Sequence, residues 1–137
     1  MKKILLVEDD LLFADLLEKA LVTFGYQVFR AGNAKQALQH YDPQTIDLVI
    51  TDLIMPDMEG MELIVTLRRR HPCVRVIAIS GGGRNPPEIY LKIADRIGAL
   101  RTLAKPFPLE VLRQAVSECL AAPGPEKLQQ AETCAMP

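Results

Sequence analysis

Short apolar runs alternate with segments of helical periodicity along most of the chain. The apolar runs are Lys2–Val7, Tyr26–Arg30, Ile46–Thr51, Val74–Ile79 and Leu100–Ala104. A run as continuously apolar as Leu48-Val49-Ile50 is typical of a strand that is buried on both faces of a parallel sheet. Tyr26–Arg30 is less apolar, and we expect it to lie nearer the sheet edge.

The segments between these runs predict helices with defined ends. Asp10 or its neighbour should cap the first helix, and Gly25 should end it. We expect the apolar face of this helix to comprise Leu12, Leu16, Ala20 and Val22. The other helices are expected from Asn33 to about Tyr41, and over Met61–Arg70, Glu88–Ile97 and Pro108–Leu120. Repeated strand–helix pairs predict an α/β fold with a parallel sheet and helices on both faces.

Length and composition predict one soluble domain. The chain has 137 residues, with 49% hydrophobic and 24% charged residues and a net charge of −1. This balance gives no global attraction to nucleic acid or to an anionic membrane. We expect a domain over 1–121, a Pro/Gly linker and mobile tail over 122–137, and a cytoplasmic location.

Zinc sites and disulfide scaffolds are not expected, because Cys73, Cys119 and Cys134 are odd in number and far apart. Two buried thiols and one in the tail are expected instead.

Polar side chains stand at the ends of four predicted strands. Glu8 and Asp9 follow the first, Asp52 the third, Ser80 the fourth and Lys105 the fifth. The carboxyl ends of parallel strands meet at one edge of the sheet, where ligands bind. Few oxygen ligands and clustered carboxylates suit Mg²⁺, which takes one or two carboxylates together with phosphate oxygens and waters.

With Mg²⁺ on one side of its carboxylate and the Lys105 ammonium on the other, Asp52 would be the natural nucleophile for a phosphoryl group. Lys105 supplies the second positive charge, and Ser80 can donate a hydrogen bond to the attached phosphoryl group. Such a bond would bias the loop that follows, Gly81–Asn85, toward a second arrangement. Taken singly, each residue has an ordinary explanation: a helix cap, a loop acid, a turn serine or a surface lysine. Their placement at successive strand ends favours the functional interpretation.

The chain resembles the receiver domain of bacterial two-component response regulators over about residues 2–121. The matching stretches are Ile4–Asp10, Asp47–Pro56 with Gly60, Ile77–Ser80 and Lys105-Pro106-Phe107. The resemblance implies a flavodoxin-like fold with strand order 2-1-3-4-5 and a cis Lys105–Pro106 bond. It also implies that Asp52 accepts a phosphoryl group from a phosphohistidine, with Ser80 and Lys105 on the phosphoryl oxygens. Mg²⁺ would be held by Glu8, Asp9, Asp52 and the backbone carbonyl of Ile54.

Three positions depart from the family pattern. Thr102 stands where the family usually has an aromatic residue, so the readout of the switch should differ. Ile54 and Gly82 occupy positions that tune hydrolysis in such domains, and neither side chain can orient a water. We therefore expect slow self-dephosphorylation.

The expected partners are a sensor histidine kinase or a histidine phosphotransfer protein, and a downstream protein target. No DNA-binding domain follows Leu120 in the sequence, so readout is expected by protein docking or phosphorelay, and a homodimer through residues 88–120 is possible. Tyr90, Lys92, Arg96 and Arg101 are expected to be exposed on that face.

Two other functions remain open. An aspartyl phosphohydrolase resembling the haloacid dehalogenases would need an acid at Ile54, two residues after the nucleophile. A phosphorylation-independent interaction module on the same fold predicts damage to the acidic pocket or to the lysine, and all of these residues are intact here. A nucleotide- or flavin-binding domain is disfavoured because Glu8-Asp9-Asp10 would repel a phosphate after the first strand.

Overall fold

A computed structural model describes residues 1–53, 59–81 and 87–121 of the chain. Strands and helices alternate strictly along it. The strands are β1 (Lys3–Val7), β2 (Gln27–Ala31), β3 (Leu48–Asp52), β4 (Val76–Ser80) and β5 (Arg101–Ala104). The helices are α1 (Leu11–Thr23), α2 (Ala34–His40), α3 (Glu59–Arg70), α4 (Pro87–Arg96) and α5 (Leu109–Ala121). Each expected element is therefore present, with ends that differ by a residue or two.

The strands form one parallel sheet in the order β2-β1-β3-β4-β5. Every residue of β3 and β4 is buried, whereas β2 at the edge alternates between exposed and partly buried positions. This confirms the predicted sheet, its strand order and the edge position of the second strand. The Lys105–Pro106 peptide bond is cis, as the family resemblance implied.

The core consists of two apolar layers, one on each face of the sheet. Leu5 and Val7 of β1 point into the layer covered by α2, α3 and α4, and Ile4 and Leu6 point into the layer covered by α1 and α5. This alternation follows from the two-residue period of a strand. Because both faces are covered, functional groups are accessible only at the ends of the strands.

The prediction for the buried face of α1 was right for Ala20 and wrong for Leu12, Leu16 and Val22. Leu12 is 82% exposed and Leu16 51%, while the buried residues are Ala14, Leu17, Ala20 and Leu21. Ala14, Leu17 and Leu21 follow each other at intervals of three and four, so they form one stripe facing the sheet. The helix has leucines on both sides, and hydrophobic pattern alone does not distinguish the packed side from the exposed one.

Two further expectations about single side chains are corrected. Tyr90 is buried rather than exposed, because it shares the inner face of α4 with Ala94 and joins the core. Cys73 is not a buried thiol: it is half-buried in the turn between α3 and β4, and it is disulfide-bonded. Cys119 is a buried free thiol, as expected.

The ends of the first two helices were predicted correctly. The Asp10 carboxylate accepts hydrogen bonds from the backbone N–H groups of Leu12 and Phe13, and Asn33 caps α2 in the same way. After α1, Gly25 adopts a φ of +102°, a left-handed conformation that glycine enters without steric cost.

Among the described residues, no helix combines the length and apolarity needed to cross a bilayer. Residues 54–58, most of the loop after Ser80 and the tail from 122 onward lie outside the described residues.

Candidate metal and phosphoryl site

The register of the sheet brings the predicted polar residues together at the carboxyl ends of the strands. Val7 pairs with Thr51, and Asp52 pairs with Ile79, so β1, β3 and β4 end close together. Ser80 pairs with Ala104, which places Lys105 just beyond Ser80. Asp52 and Ser80 are the last residues of their strands rather than loop residues. The backbone bond from Leu53 N–H to the Ile79 carbonyl, 2.8 Å long, continues the ladder beyond Asp52.

Three carboxylates converge at this edge. Glu8, Asp9 and Asp52 each offer an oxygen, and these oxygens all lie within 4.8 Å of one another. Glu8 and Asp52 are only 3% and 5% exposed, whereas Asp9 is open to solvent. Burying two like charges side by side is unfavourable unless a cation or a proton compensates them.

Lys105 provides that compensation in the structure. Its Nζ donates to Glu8 Oε1 at 3.2 Å and to Asp52 Oδ2 at 3.0 Å. The lysine side chain is only partly exposed, so these ion pairs are stronger than an exposed surface pair. The ammonium therefore bridges the carboxylates delivered by β1 and β3.

The electrostatics of the metal-free pocket make Glu8 a weaker acid than an ordinary carboxyl. Burial raises the pKa of Glu8 to about 7, with the neighbouring Asp52 charge adding to the effect. The hydrogen bond from the Asp10 backbone N–H and the Lys105 charge act in the opposite direction. For Lys105, burial would lower the pKa, but the hydrogen bonds and charges of Asp52 and Glu8 together raise it, so the ammonium form is stabilised.

The donor set fits a magnesium ion. Its atoms are carboxylate oxygens, the hard ligands that Mg²⁺ prefers, and exposed Asp9 leaves one side open for waters and phosphate oxygens. Glu8, Asp9 and Asp52 would hold the ion. The fourth predicted ligand, the backbone carbonyl of Ile54, lies outside the described residues.

Ser80 and Thr102 lie on adjacent strands beside this cluster. Ser80 is fully buried at the end of β4, and the Lys105 backbone N–H donates to its carbonyl at 2.8 Å. Thr102 is half-buried in β5 opposite Ala78. Ser80 is therefore at the end of its strand, as predicted. Thr102, a small side chain where the family usually has an aromatic one, stands opposite Ala78.

Gly60 has a steric role that the sequence did not reveal. A Cβ atom at this position would lie 2.1 Å from the Asp52 carbonyl oxygen and 2.7 Å from the Leu53 Cα. Both distances are far inside van der Waals contact, so only glycine allows α3 to approach the end of β3 this closely. The backbone of Asp52 is thereby confined between β4 and α3.

An aromatic ring and a second glycine lie against the Lys105 side chain, and the sequence analysis gave neither Phe13 nor Gly81 a role in positioning it. The Phe13 ring centroid lies 4.1 Å from Lys105 Nζ, and Phe107 packs edge-on against Phe13 at 6.3 Å. A Cβ at Gly81 would lie 2.9 Å from the Lys105 Cδ. Phe13 lies in the first turn of the helix capped by Asp10, and no spacing along the chain signals its contact with Lys105.

Comparison with known proteins agrees with this geometry. The profile of the response regulator receiver domain matches residues 4–117. The chain is 33% identical over 119 residues to sporulation initiation phosphotransferase F of Bacillus subtilis, covering 87% of this chain and 94% of that protein. It is 32% identical over 125 residues to the response regulator receiver protein CpdR of Brucella abortus, covering 89% and 99% of the two chains.

Other relatives are much longer. The DNA-binding transcriptional regulator NtrC of Azospirillum brasilense is 35% identical over 117 residues, and the match covers 85% of this chain but 24% of that protein. The chain thus spans about a quarter of the length of such regulators.

Solved structures share the fold. A receiver domain protein from Clostridium thermocellum superposes with a TM-score of 0.81 at 26% identity, covering 88% of this chain and 94% of that one. The response regulator TrrA from Thermotoga maritima, solved in complex with Mg²⁺ and BeF, has a TM-score of 0.74 at 26% identity, covering 87% and 99%.

Proposed function

Since this chain belongs to the response regulator receiver domain family, we propose that it is a phosphorylation-activated switch in which Asp52 is the phosphoacceptor. The observation that carries the proposal is the placement of Lys105, whose ammonium lies within hydrogen-bond distance of Asp52 and Glu8 inside a cluster of three carboxylates. A nucleophilic carboxylate, a fixed cation and an acidic metal site are the parts that phosphoryl transfer to aspartate needs.

The reaction proceeds by displacement at phosphorus. An Asp52 carboxylate oxygen forms a P–O bond while the P–N bond of a donor phosphohistidine breaks, and the electron pair of that bond stays on the imidazole nitrogen. Lys105 shifts from the carboxylate to a phosphoryl oxygen and neutralises charge there, and the Ser80 hydroxyl donates a hydrogen bond to the attached group. When bound by Glu8, Asp9 and Asp52, Mg²⁺ supplies further charge neutralisation.

The proposed donor is a sensor histidine kinase or a histidine phosphotransfer protein, and the proposed location is the cytoplasm.

Readout is by docking on a downstream protein or by passing the phosphoryl group onward. The face formed by residues 88–120 carries exposed charges of both signs, the cations Lys92, Arg96 and Arg101 and the acids Asp95 and Glu118 among them, which suits a protein partner or a second copy of the chain. The chain is a switch rather than an enzyme with a separate substrate, and we assign residues 1–121 to the domain and 122–137 to the tail.

A small phosphodonor tests the proposal directly. Incubation with acetyl phosphate and Mg²⁺ should add one phosphoryl mass to the wild type, and the addition should be lost with EDTA and in Asp52→Asn. Asp42→Asn, a change to a carboxylate remote from the cluster, is the matched control and should be modified normally.

The alternatives predict other results. Turnover of phosphate esters without a stable adduct would support a phosphohydrolase. Neither adduct nor turnover, together with no Mg²⁺ binding in titration calorimetry, would support a phosphorylation-independent interaction module and refute the proposal.

A further inference from the structure

Lys105 is held by more than its two ion pairs. Its ammonium lies 4.1 Å from the centroid of the Phe13 ring, well within the distance at which a cation is attracted to the face of an aromatic ring. Phe13 is the third residue of α1, and its backbone N–H donates to the capping Asp10 carboxylate at 3.2 Å. The ring therefore stands on the rigid first turn of the helix.

The ring and the lysine are both supported by neighbours. Phe107 contacts Phe13 edge-to-face, with an interplanar angle of 82°, an arrangement that aromatic pairs favour. The lysine stem runs against Gly81, where a Cβ would lie 2.9 Å from Cδ and 3.3 Å from Cβ of the lysine. Gly81 thus leaves the space for the stem, and Phe13 provides the surface for the ammonium.

We propose that Phe13 is a positioning residue for phosphoryl transfer, which orients the Lys105 ammonium through a cation–π contact. This inference rests on the proposed function, in which Lys105 leaves the carboxylate for a phosphoryl oxygen. Glu8 and Asp52 are also the residues that would hold the metal and accept the phosphoryl group, so their contacts to the lysine change during the reaction. The ring carries no titratable group and is no metal ligand, so its attraction for the ammonium persists.

A fluorinated side chain separates this role from packing. A trifluorinated phenylalanine at position 13 keeps the shape of the ring but removes the negative potential of its face. Both this variant and Phe13→Leu should be phosphorylated by acetyl phosphate more slowly, by roughly two- to fivefold. Phe29→Leu, which changes a partly exposed ring on the edge strand β2, is the matched control and should react at the wild-type rate.

A second measurement uses the metal-free, unphosphorylated protein. Lys105 Nζ lies 4.1 Å from the ring centroid, so the NMR signals of the adjacent Cε protons should be shifted upfield relative to those of other lysines, and Phe13→Leu should abolish the shift. This readout does not depend on whether the chain accepts a phosphoryl group.

The outcomes are distinct. A wild-type rate in the fluorinated variant with a slow Phe13→Leu would show that the ring acts by packing alone, and would overturn the proposal; so would unshifted Lys105 signals. A wild type that shows the shifted signals but takes no phosphoryl group would refute the proposed function while leaving the Lys105–Phe13 contact established.

Discussion

At the scale of single residues, Lys105 sets the charge balance of the site. Two buried carboxylates would destabilise the fold if they were both ionised and unpaired, since removing one partner of a buried pair costs about 3–5 kcal/mol. The lysine offsets this cost, and the raised pKa of Glu8, about 7, lets a proton offset part of it as the pH falls through neutral. The same ammonium that stabilises the resting domain is the group that the proposed phosphoryl transfer would require.

The residues at positions 54 and 82, an isoleucine and a glycine, predict a long-lived phosphoryl group on Asp52. Neither can hold a water in line for attack on phosphorus, so the purified phosphorylated protein should lose its phosphoryl group slowly, over hours rather than seconds. Ile54→Asn introduces an amide that can orient a water and should shorten the half-life by roughly tenfold. A half-life of seconds in the wild type, measured by intact mass, would contradict the expectation.

The Cys119 thiol should be inert in the folded protein. Burial raises its pKa from 9.0 to about 11, and its side chain is almost fully covered. The protonated thiol is favoured on folding, so its stabilising contribution is complete below pH 9 and is lost as the pH rises through about 11. At pH 8 the thiolate fraction is about a hundredfold lower than for an unperturbed cysteine.

Iodoacetamide labelling at pH 8, followed by peptide mapping, measures this protection. Labelling of Cys119 should be slow in buffer and fast in denaturant. Equal rates in the two conditions would show that the thiol is not protected by the fold.

The residues of the acidic cluster could be predicted because the end of a strand is visible in the sequence. Glu8, Asp52 and Ser80 each follow a run of buried residues, and parallel pairing brings such positions together regardless of loop length. The contact between Phe13 and Lys105 was not predictable in this way. It depends on how far two long side chains reach across the space between α1 and β5, and no spacing along the chain encodes that distance.

At the scale of elements, α3 is fixed by its contact with the end of β3. Gly60→Ala adds a methyl group that would overlap the Asp52 carbonyl at 2.1 Å, so helix and strand must separate. Alanine has a higher intrinsic helix propensity by about 1 kcal/mol, but the overlap should dominate. The free energy of unfolding should fall by about 1–3 kcal/mol.

Urea denaturation measures this change, and Gly32→Ala is the matched control. At Gly32 the nearest atom to an added Cβ is Gln36 Oε1 at 3.7 Å, an ordinary contact. Equal stability of the two variants would show that α3 does not need to approach β3 so closely.

The exposed leucines of α1 predict where a protein donor docks. Leu11, Leu12 and Leu16 lie on the solvent side of a helix that begins directly after the acidic cluster. Leu12→Ser with Leu16→Ser should slow transfer from a phosphorylated histidine phosphotransfer protein roughly tenfold, by the loss of apolar contacts at the interface.

The rate with acetyl phosphate should be unchanged in this double variant, because a small donor needs no docking surface. Val22→Ser, at the far end of the same helix, is the control for both donors. An equal loss with both donors would indicate damage to the site rather than to an interface.

The order and type of the elements could be predicted because the apolar runs and helix caps are local signals. The orientation of each helix was less accessible. Leu12 and Leu17 are the same residue type on opposite sides of α1, and only the packing of α1 against the sheet decides which is buried. Tyr90 was misplaced for the same reason, since both faces of α4 carry large side chains.

At the scale of the whole molecule, the face formed by residues 88–120 suits pairing of two copies. It carries both signs of charge, and Arg101 already pairs with Glu118 at 3.2 Å within the chain. An isologous contact would place such groups opposite their complements. Beryllofluoride with Mg²⁺ should therefore produce a dimer in sedimentation velocity, with an affinity that falls roughly tenfold at high salt.

Lys92→Glu with Arg96→Glu should abolish the dimer, and Lys2→Glu with Lys35→Glu, the same charge change elsewhere on the surface, should not. A monomer under all conditions would leave docking on a different protein or onward transfer of the phosphoryl group as the mode of readout.

The Lys105 bridge between the strand ends also bears on whether the protein would stay folded when magnesium is scarce. Because an internal counter-ion replaces part of the missing charge, we expect the chain to stay folded when magnesium is scarce, although the proposed switch would then be inactive. Signalling would then resume when the ion returns, without new synthesis of the protein.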